Sequence, residues 1–187
     1  MFFKQALGNP RKTGAVAPSS RHLAKHMLDL SGLAESRVIA EYGPGTGSFT
    51  RHILARLRPD QRFFCVEINP DFANALRQEH PGLSVHVGCA SGIASFCQQE
   101  EVAGIDCVVS GLPWAVFPDP LQTSILESML AVMPPGGSFV TFAYLQGLFL
   151  PAGRKFRRHL GRYFSRVERS SVVWLNFPPA VVYHCRK

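Results

Sequence analysis

Residues 37–47 read Arg-Val-Ile-Ala-Glu-Tyr-Gly-Pro-Gly-Thr-Gly. The first half is a short apolar run of strand type. The second is a turn with glycines at 43, 45 and 47. The next stretch, Phe49 to Leu57, has helical composition and stops before Pro59. A strand that enters a glycine turn and leaves as a helix is the opening unit of a doubly wound α/β sheet, because glycine lets the backbone turn sharply and approach a ligand closely. The spacing G-x-G-x-G is not the phosphate-cradling G-x-x-x-x-G-K, and no lysine follows it.

The same unit recurs along the chain. Gln61–Asn69 is a second strand, and Asn69-Pro70-Asp71 opens a helix that ends before Pro81-Gly82. Leu83–Gly88 is a third strand, followed by a short helix over 90–99. Gly104–Gly111 is a fourth strand, and Asp119-Pro120 opens the helix that runs to Met133. Ser138–Leu145 is a fifth strand. Strand–helix alternation of this kind predicts a parallel sheet with helices on both faces. Upstream, Ser19-Ser20 caps a helix carrying Leu23, Met27, Leu28 and Leu30. The end of the chain breaks the rhythm. Val167–Leu175 and Ala180–Arg186 are strand-like runs joined by Asn176-Phe177-Pro178-Pro179, with no room for a helix. They predict an antiparallel hairpin at a sheet edge, making a seven-stranded, mainly parallel, Rossmann-like sheet. The whole chain, 1–187, reads as one domain, with a basic segment and helix over 1–30 and a basic amphipathic excursion over 146–166.

Composition agrees with one globular core: 187 residues, 46% hydrophobic and 18% charged. No apolar run approaches the ~20 residues of a membrane span, and the start of the chain lacks a signal-peptide pattern. The cysteines at 65, 89, 97, 107 and 185 form no C-x-x-C pair, which predicts reduced thiols and a cytoplasmic setting. His22 and His26 share a helix face without partner ligands, so no metal is expected. The net charge of +7 is uneven: residues 1–26 and 154–187 are basic, and the middle of the chain is acidic. Basic ends of this kind point to an anionic partner, a membrane surface or a nucleic acid.

Twenty residues beyond the middle glycine, Val66-Glu67-Ile68 closes the second strand with an acid. An acid there can accept both ribose hydroxyls of an adenosine cofactor. A dehydrogenase would share this much. Glu41 before the glycines and the C-terminal hairpin separate the two.

These residues resemble the class I S-adenosylmethionine-dependent methyltransferases over about residues 18–187. The resemblance implies S-adenosylmethionine as cofactor and S-adenosylhomocysteine as product. It implies a cofactor site of Glu41, Tyr42, Gly43, Gly45, Gly47, Glu67, Ile68, Cys89, Ala90, Ser110 and Leu112. In it the glycines pass under the methionine part, Glu41 stands at the ammonium end, Glu67 holds the ribose, and Cys89-Ala90 flank the adenine. The family usually has an aspartate where Cys89 stands. Two subfamilies are similar. The rRNA adenine dimethylases share the acidic-Gly-Pro-Gly-Thr-Gly loop and Leu112-Pro113 followed by an aromatic. The bacterial phospholipid N-methyltransferases, which methylate phosphatidylethanolamine to phosphatidylcholine, resemble the chain over 9–20, over Ser110-Gly111-Leu112-Pro113 and over Asn176-Phe177-Pro178-Pro179-Ala180.

Gly111 separates them. An aromatic exocyclic amine has its lone pair delocalised into the ring and needs an amide or carboxylate to localise it; glycine cannot serve. A primary alkyl amine, once deprotonated, has its lone pair available and needs alignment only. No C-terminal helical domain of the rRNA dimethylase kind is expected from these residues. Both points favour the headgroup amine of phosphatidylethanolamine or its methylated forms, with an RNA adenine as the alternative acceptor. A catalytically silent lipid- or RNA-binding module is disfavoured by the intact glycine loop, Glu41 and Glu67. Expected substrate contacts are Ser19, Ser20, Trp114, Phe117 and Tyr144, the aromatics holding the increasingly cationic nitrogen by cation–π attraction. No residue presents itself as a general base.

Between the fifth strand and the hairpin, residues 148–166 place Arg154, Arg158, Arg162 and Arg166 at i, i+4, i+8 and i+12, with Phe156, Leu160, Tyr163 and Phe164 opposite. Read as a helix from Lys155, this is the pattern of an interfacial helix, weakened by Gly161. It predicts peripheral association with the inner face of a membrane. Phe2, Phe3 and Leu7 beside Lys4, Arg11 and Lys12 offer a second contact.

Overall fold

The computed structural model describes residues 19–187; the basic segment before them, with Phe2, Phe3, Leu7, Lys4, Arg11, Lys12 and most of the 9–20 motif, lies outside the described residues. The chain runs α1 (Arg21–Leu30), β1 (Val38–Tyr42), α2 (Thr50–Leu54), β2 (Arg62–Glu67), α3 (Pro70–Glu79), β3 (Ser84–Val87) and α4 (Ile93–Gln99). It continues through β4 (Cys107–Ser110), α5 (Asp119–Val132), β5 (Ser138–Tyr144), α6 (Pro151–Tyr163), β6 (Arg166–Arg169) and β7 (Ala180–Arg186). The seven strands form one sheet in the order β3-β2-β1-β4-β5-β7-β6. β1 to β5 pair in parallel, and β7 runs antiparallel between β5 and β6. The doubly wound sheet with an antiparallel C-terminal end is therefore as the sequence predicts.

Side chains alternate across a strand, and the burial follows that period of two. Ala40 and Tyr42 of β1, Val108 of β4, Phe139 of β5 and Tyr183 of β7 face α4, α5 and α6. Ile39, Cys107, Val109, Val140 and Val182 face α1 and α2, while α3 covers Cys65 and Val85. Local signals set the helix starts. The Ser20 hydroxyl accepts from Leu23 N–H at 3.2 Å, and Asn69 Oδ1 accepts from Asp71 N–H at 2.8 Å. Both caps stand where the sequence places them.

Two expectations need correction. The hairpin's first arm is strand only over Arg166–Arg169, with a single further bridge from Val173 to Ala180; residues 174–177 form a loop in which Trp174, Leu175 and Phe177 are exposed and Asn176 is buried. The interfacial helix also differs. It starts at Pro151, and Phe156 and Leu160 are buried. Phe156 stacks on Trp114 with ring centroids 5.4 Å apart, and Phe164 stacks on Phe139 at 5.5 Å. The apolar side of α6 is thus spent on the protein's own core and offers no face to lipid. Arg166 leaves the stripe altogether: it sits in β6 and pairs with Glu168 at 2.6 Å. Arg154, Arg158 and Arg162 remain exposed on α6.

Gly161 lies inside α6, exposed, and a methyl group built on it meets nothing within 4 Å. Gly161→Ala is therefore expected to stabilise the fold by about 0.5–1 kcal/mol, read from the urea midpoint.

Candidate active site

The sheet's topology places the site. β1 is followed by β2 on one side and has β4 on the other, so the two loops that leave β1 and β4 diverge and open a crevice at the carboxyl ends of the strands. A pocket enclosing about 760 Å³, counting its open mouth, occupies that crevice. Its floor is Gly43 and Gly45, its one side Glu67, Ile68 and Asn69, and its other side Gly111, Leu112 and Pro113, with Cys89, Ala90 and Phe117 also on the wall.

The glycine loop needs its glycines for backbone reasons. Gly43, Gly45 and Gly47 have φ of 68°, 55° and 77°, the left-handed region. Gly43 N–H donates to Val66 O at 2.9 Å, and Arg51 donates from Nε to Gly47 O at 3.1 Å, buttressing the loop from α2. Glu67, 5% exposed, ties the loop to β2: its Oε2 accepts from Gly45 N–H at 3.0 Å and its Oε1 from Asn69 N–H at 2.8 Å. The acid that closes β2 thus has a second task that spacing alone does not reveal: it shapes the floor it faces.

Glu41 lies beneath the loop, fully buried. One oxygen accepts from the Thr50 hydroxyl at 2.7 Å and from the Cys65 thiol at 3.6 Å; the other has no hydrogen-bond partner. Burial pushes its carboxyl up to about 7, against the opposing hydrogen bonds from Thr50 and Cys65. Glu41 does not itself line the pocket, but its orphaned oxygen, two residues before Gly43, leaves acceptor capacity next to the glycine turn for a ligand that brings an ammonium group. The residues present therefore fit S-adenosylmethionine, with Glu67, Ile68, Cys89 and Ala90 to hold its adenosine part.

The raised value makes a prediction. Between the ordinary carboxylate value of 4.5 and about 7, folded Glu41 retains a proton that the unfolded chain has lost, so its contribution to stability falls as pH rises through that window. Glu41→Gln is expected to stabilise the ligand-free protein at pH 8 by roughly 3 kcal/mol relative to its effect at pH 4. Urea titrations of both proteins at the two pH values check it; parallel curves contradict the assignment.

The structure brings Gly43, Gly45, Glu67, Ile68, Cys89, Ala90, Leu112 and Phe117 together around the pocket. Other expected contacts fall elsewhere. Tyr42 is fully buried on the α4–α6 side, and only its carbonyl reaches the crevice region, accepting from Gly111 N–H at 2.8 Å. Gly47 closes the turn from below, where an added methyl would meet Leu76 at 2.9 Å. Ser110 is buried; its hydroxyl accepts from Trp114 Nε1 at 3.0 Å. Trp114 is 2% exposed, so the expectation that it holds a substrate amine is corrected: it is a core residue anchoring the turn after β4. Ser20 spends its hydroxyl on the α1 cap and its N–H on Asn176 Oδ1 at 2.9 Å; neither it nor Ser19 lines the pocket. Tyr144 packs edge-on against Phe142 and is likewise absent from the wall. Phe72 and Gly88 line the pocket and were missed. Gly88 could have been suspected from its place at the end of the third strand, just before Cys89; Phe72 carries no signal beyond its place after the Asn69-Pro70 helix start.

The turn after β4 is held from behind. Gln122 Nε2 donates to Trp114 O at 2.9 Å and Phe117 O at 3.0 Å, and Gln122 Oε1 contacts His159 Nδ1 of α6 at 3.0 Å. In front, Gly111 meets the glycine loop so closely that a methyl group on it would lie 2.7 Å from Gly43 O.

Comparison with known proteins bears on this geometry. The family model described as a methyltransferase domain matches residues 39–137. The ornithine lipid N-methyltransferase of Singulisphaera acidiphila is 32% identical over 190 residues, covering 99% of this chain and 92% of that protein. Among solved structures, an O-methyltransferase from Bacillus cereus in complex with SAH superposes with a TM-score of 0.68 at 16% identity, covering 98% of this chain and 90% of the other. The O-methyltransferase TomG from Streptomyces achromogenes, in complex with SAM, gives 0.66 at 21% identity, covering 98% and 89%. With the sheet order, the glycine loop and the acid at the end of β2 in place, the chain belongs to the class I S-adenosylmethionine-dependent methyltransferases.

Proposed function

We propose that the enzyme N-methylates the primary alkyl amine of a lipid headgroup at a membrane surface. The observation that carries the proposal is Gly111. The position where an adenine N-methyltransferase needs an amide is not merely a glycine; Gly43 O blocks any side chain there. An acceptor nitrogen must therefore bring its own available lone pair, as an alkyl amine does. The RNA adenine reading loses its central group. The lipid comes from the relative, whose name assigns it the ornithine lipid amine. Phosphatidylethanolamine carries the same functional group, a primary alkyl amine on an anionic or zwitterionic headgroup, and remains the first acceptor we infer from the motif at 110–113.

Bound S-adenosylmethionine supplies an electrophilic methyl group on sulfur. The chain's own residues hold the adenosine part through Glu67, fix the glycine floor, and set the rigid Gly111-Leu112-Pro113 wall beside it. Phe117, 7% exposed, and Phe72 are the aromatics on the pocket wall. Mass spectrometry of mixed vesicles containing phosphatidylethanolamine and ornithine lipid, after incubation with enzyme and cofactor, tests the acceptor: a methylated form of either lipid supports the reading and names the substrate, and neither lipid methylated refutes it.

Docking follows from charge. Arg154, Arg158 and Arg162 are exposed on α6, and from residue 128 to the end the sole acid is Glu168. Each basic group near an anionic leaflet contributes ~1 kcal/mol. Reversing the three to Glu is expected to weaken sedimentation with phosphatidylglycerol-containing vesicles at least tenfold while cofactor affinity stays unchanged. Binding that survives the reversal and is indifferent to salt would remove these arginines from the contact.

A further inference from the structure

The apolar side of α6 is buried, yet the surface carries another apolar feature. Seven large hydrophobic residues are exposed among those described: Val87, Val116, Phe149, Leu150, Trp174, Leu175 and Phe177. All of them stand at the carboxyl ends of the parallel strands. Val87 ends β3, Val116 follows β4, and Phe149 and Leu150 follow β5. Trp174, Leu175 and Phe177 precede β7, whose first residue, Ala180, pairs with Tyr144 at the end of β5. This is the end at which the pocket opens.

The loop at 174–177 is held rigidly. Asn176 is 3% exposed; its Oδ1 accepts from Ser20 N–H at 2.9 Å and its Nδ2 donates to Pro178 O at 2.7 Å. Val173 N–H donates to Ala180 O at 2.7 Å. With Asn176 pinned inward, its neighbours Leu175 and Phe177 are left 70% and 85% exposed, and Trp174 69%. Folding that fixes three large apolar side chains in water gains nothing from their burial, so their gain lies in a contact. The surroundings say which. Phe149 shares a groove with Arg169, and Arg154 donates from Nη2 to Phe149 O at 3.1 Å. Arg154, Arg157 and Arg158 line the adjoining hollow on α6. Phe149 among arginines, with Trp174 and Phe177 exposed at the same end of the sheet, matches the boundary between hydrocarbon and anionic headgroups, where amphipathic aromatic rings and guanidinium groups both find partners.

We propose that the loop bearing Trp174, Leu175 and Phe177, together with Phe149 and Leu150, inserts into an anionic lipid surface and seats the mouth of the pocket against the headgroups. The proposal rests on the lipid reading above and adds to it an apolar contribution that salt does not screen.

The molecule contains its own probe. Trp114 and Trp174 are the only tryptophans, and Trp114 is already buried, so a change in emission on lipid binding reports Trp174. Adding phosphatidylethanolamine–phosphatidylglycerol vesicles is expected to shift the emission to the blue and to make it quenchable by lipids brominated near the ester end of the acyl chain. Trp174→Ala with Leu175→Ala and Phe177→Ala should lower vesicle affinity at least tenfold at high salt and leave cofactor affinity unchanged. Co-sedimentation with unmoved, unquenched Trp174 emission overturns insertion while leaving lipid methylation standing. A blue shift that follows protein concentration without vesicles, with doubled mass in sedimentation, gives the patch to a second copy and also overturns it. Failure to methylate lipid, with RNA labelled instead, overturns the underlying reading.

Discussion

Gly111→Asn is expected to weaken S-adenosylmethionine binding by at least 100-fold and to confer no RNA adenine methylation. The substitution installs the amide that adenine N-methyltransferases use, yet there is no space for it. The first carbon of any side chain at 111 would lie 2.7 Å from Gly43 O, a distance real side chains essentially never show, and the blocking atom is backbone. Gly111 N–H is also bonded to Tyr42 O at 2.8 Å, so the β4 end cannot swing away without breaking its tie to β1. The strain passes to Gly43, which is itself confined: a methyl on it would meet Leu112 Cδ2 at 2.6 Å. Gly111→Ala carries the same clash without an amide and should lose nearly as much, which separates steric from chemical causes. Calorimetry reads both; near-native affinity in the alanine variant would contradict the close approach.

Glu67→Ala is expected to cost about 100-fold in cofactor affinity. The carboxylate accepts two backbone N–H bonds in the ligand-free protein, from Gly45 and Asn69. Hydrogen bonds to a charged group contribute about 1.5–3 kcal/mol each, and each 1.4 kcal/mol is tenfold. Removing the side chain therefore loosens the glycine floor and also removes the group that we propose holds the ribose. Glu67→Gln keeps one acceptor oxygen and should fall between the two. Unchanged affinity in the alanine variant would remove Glu67 from the site.

Much of this fold was legible because its signals are local and repeated. Five strand–helix units with their glycine turns, the Ser20 and Asn69 caps, and the helix-free link between the last two strands fix a doubly wound sheet with an antiparallel end. The pocket was legible where a residue acts through its place after a strand: Gly43, Gly45, Glu67, Cys89 and Ala90 need only the topology to converge. It was not legible where the outcome depends on which side of a side chain meets the core. Trp114 looked like a substrate aromatic from its place beside Pro113, but Phe156 arrives from more than forty residues away to stack on it. The same contact buries the apolar side of α6, which an amphipathic period cannot distinguish from a lipid-facing one. Arg166 fits the i+4 series on paper, yet α6 ends at Tyr163 and the strand that follows turns it toward Glu168. In Gly111 the sequence shows the missing amide, but only the structure shows the carbonyl that excludes it.

The most direct test of the account follows the methyl group itself. Purified enzyme is incubated with S-adenosylmethionine labelled in the methyl group, vesicles of phosphatidylethanolamine and phosphatidylglycerol, and total RNA, and the lipid and RNA fractions are counted separately. The account predicts label in the lipid fraction, on the headgroup nitrogen, and none above background in RNA. Label in RNA as methylated adenine, with the lipid fraction empty, would contradict it.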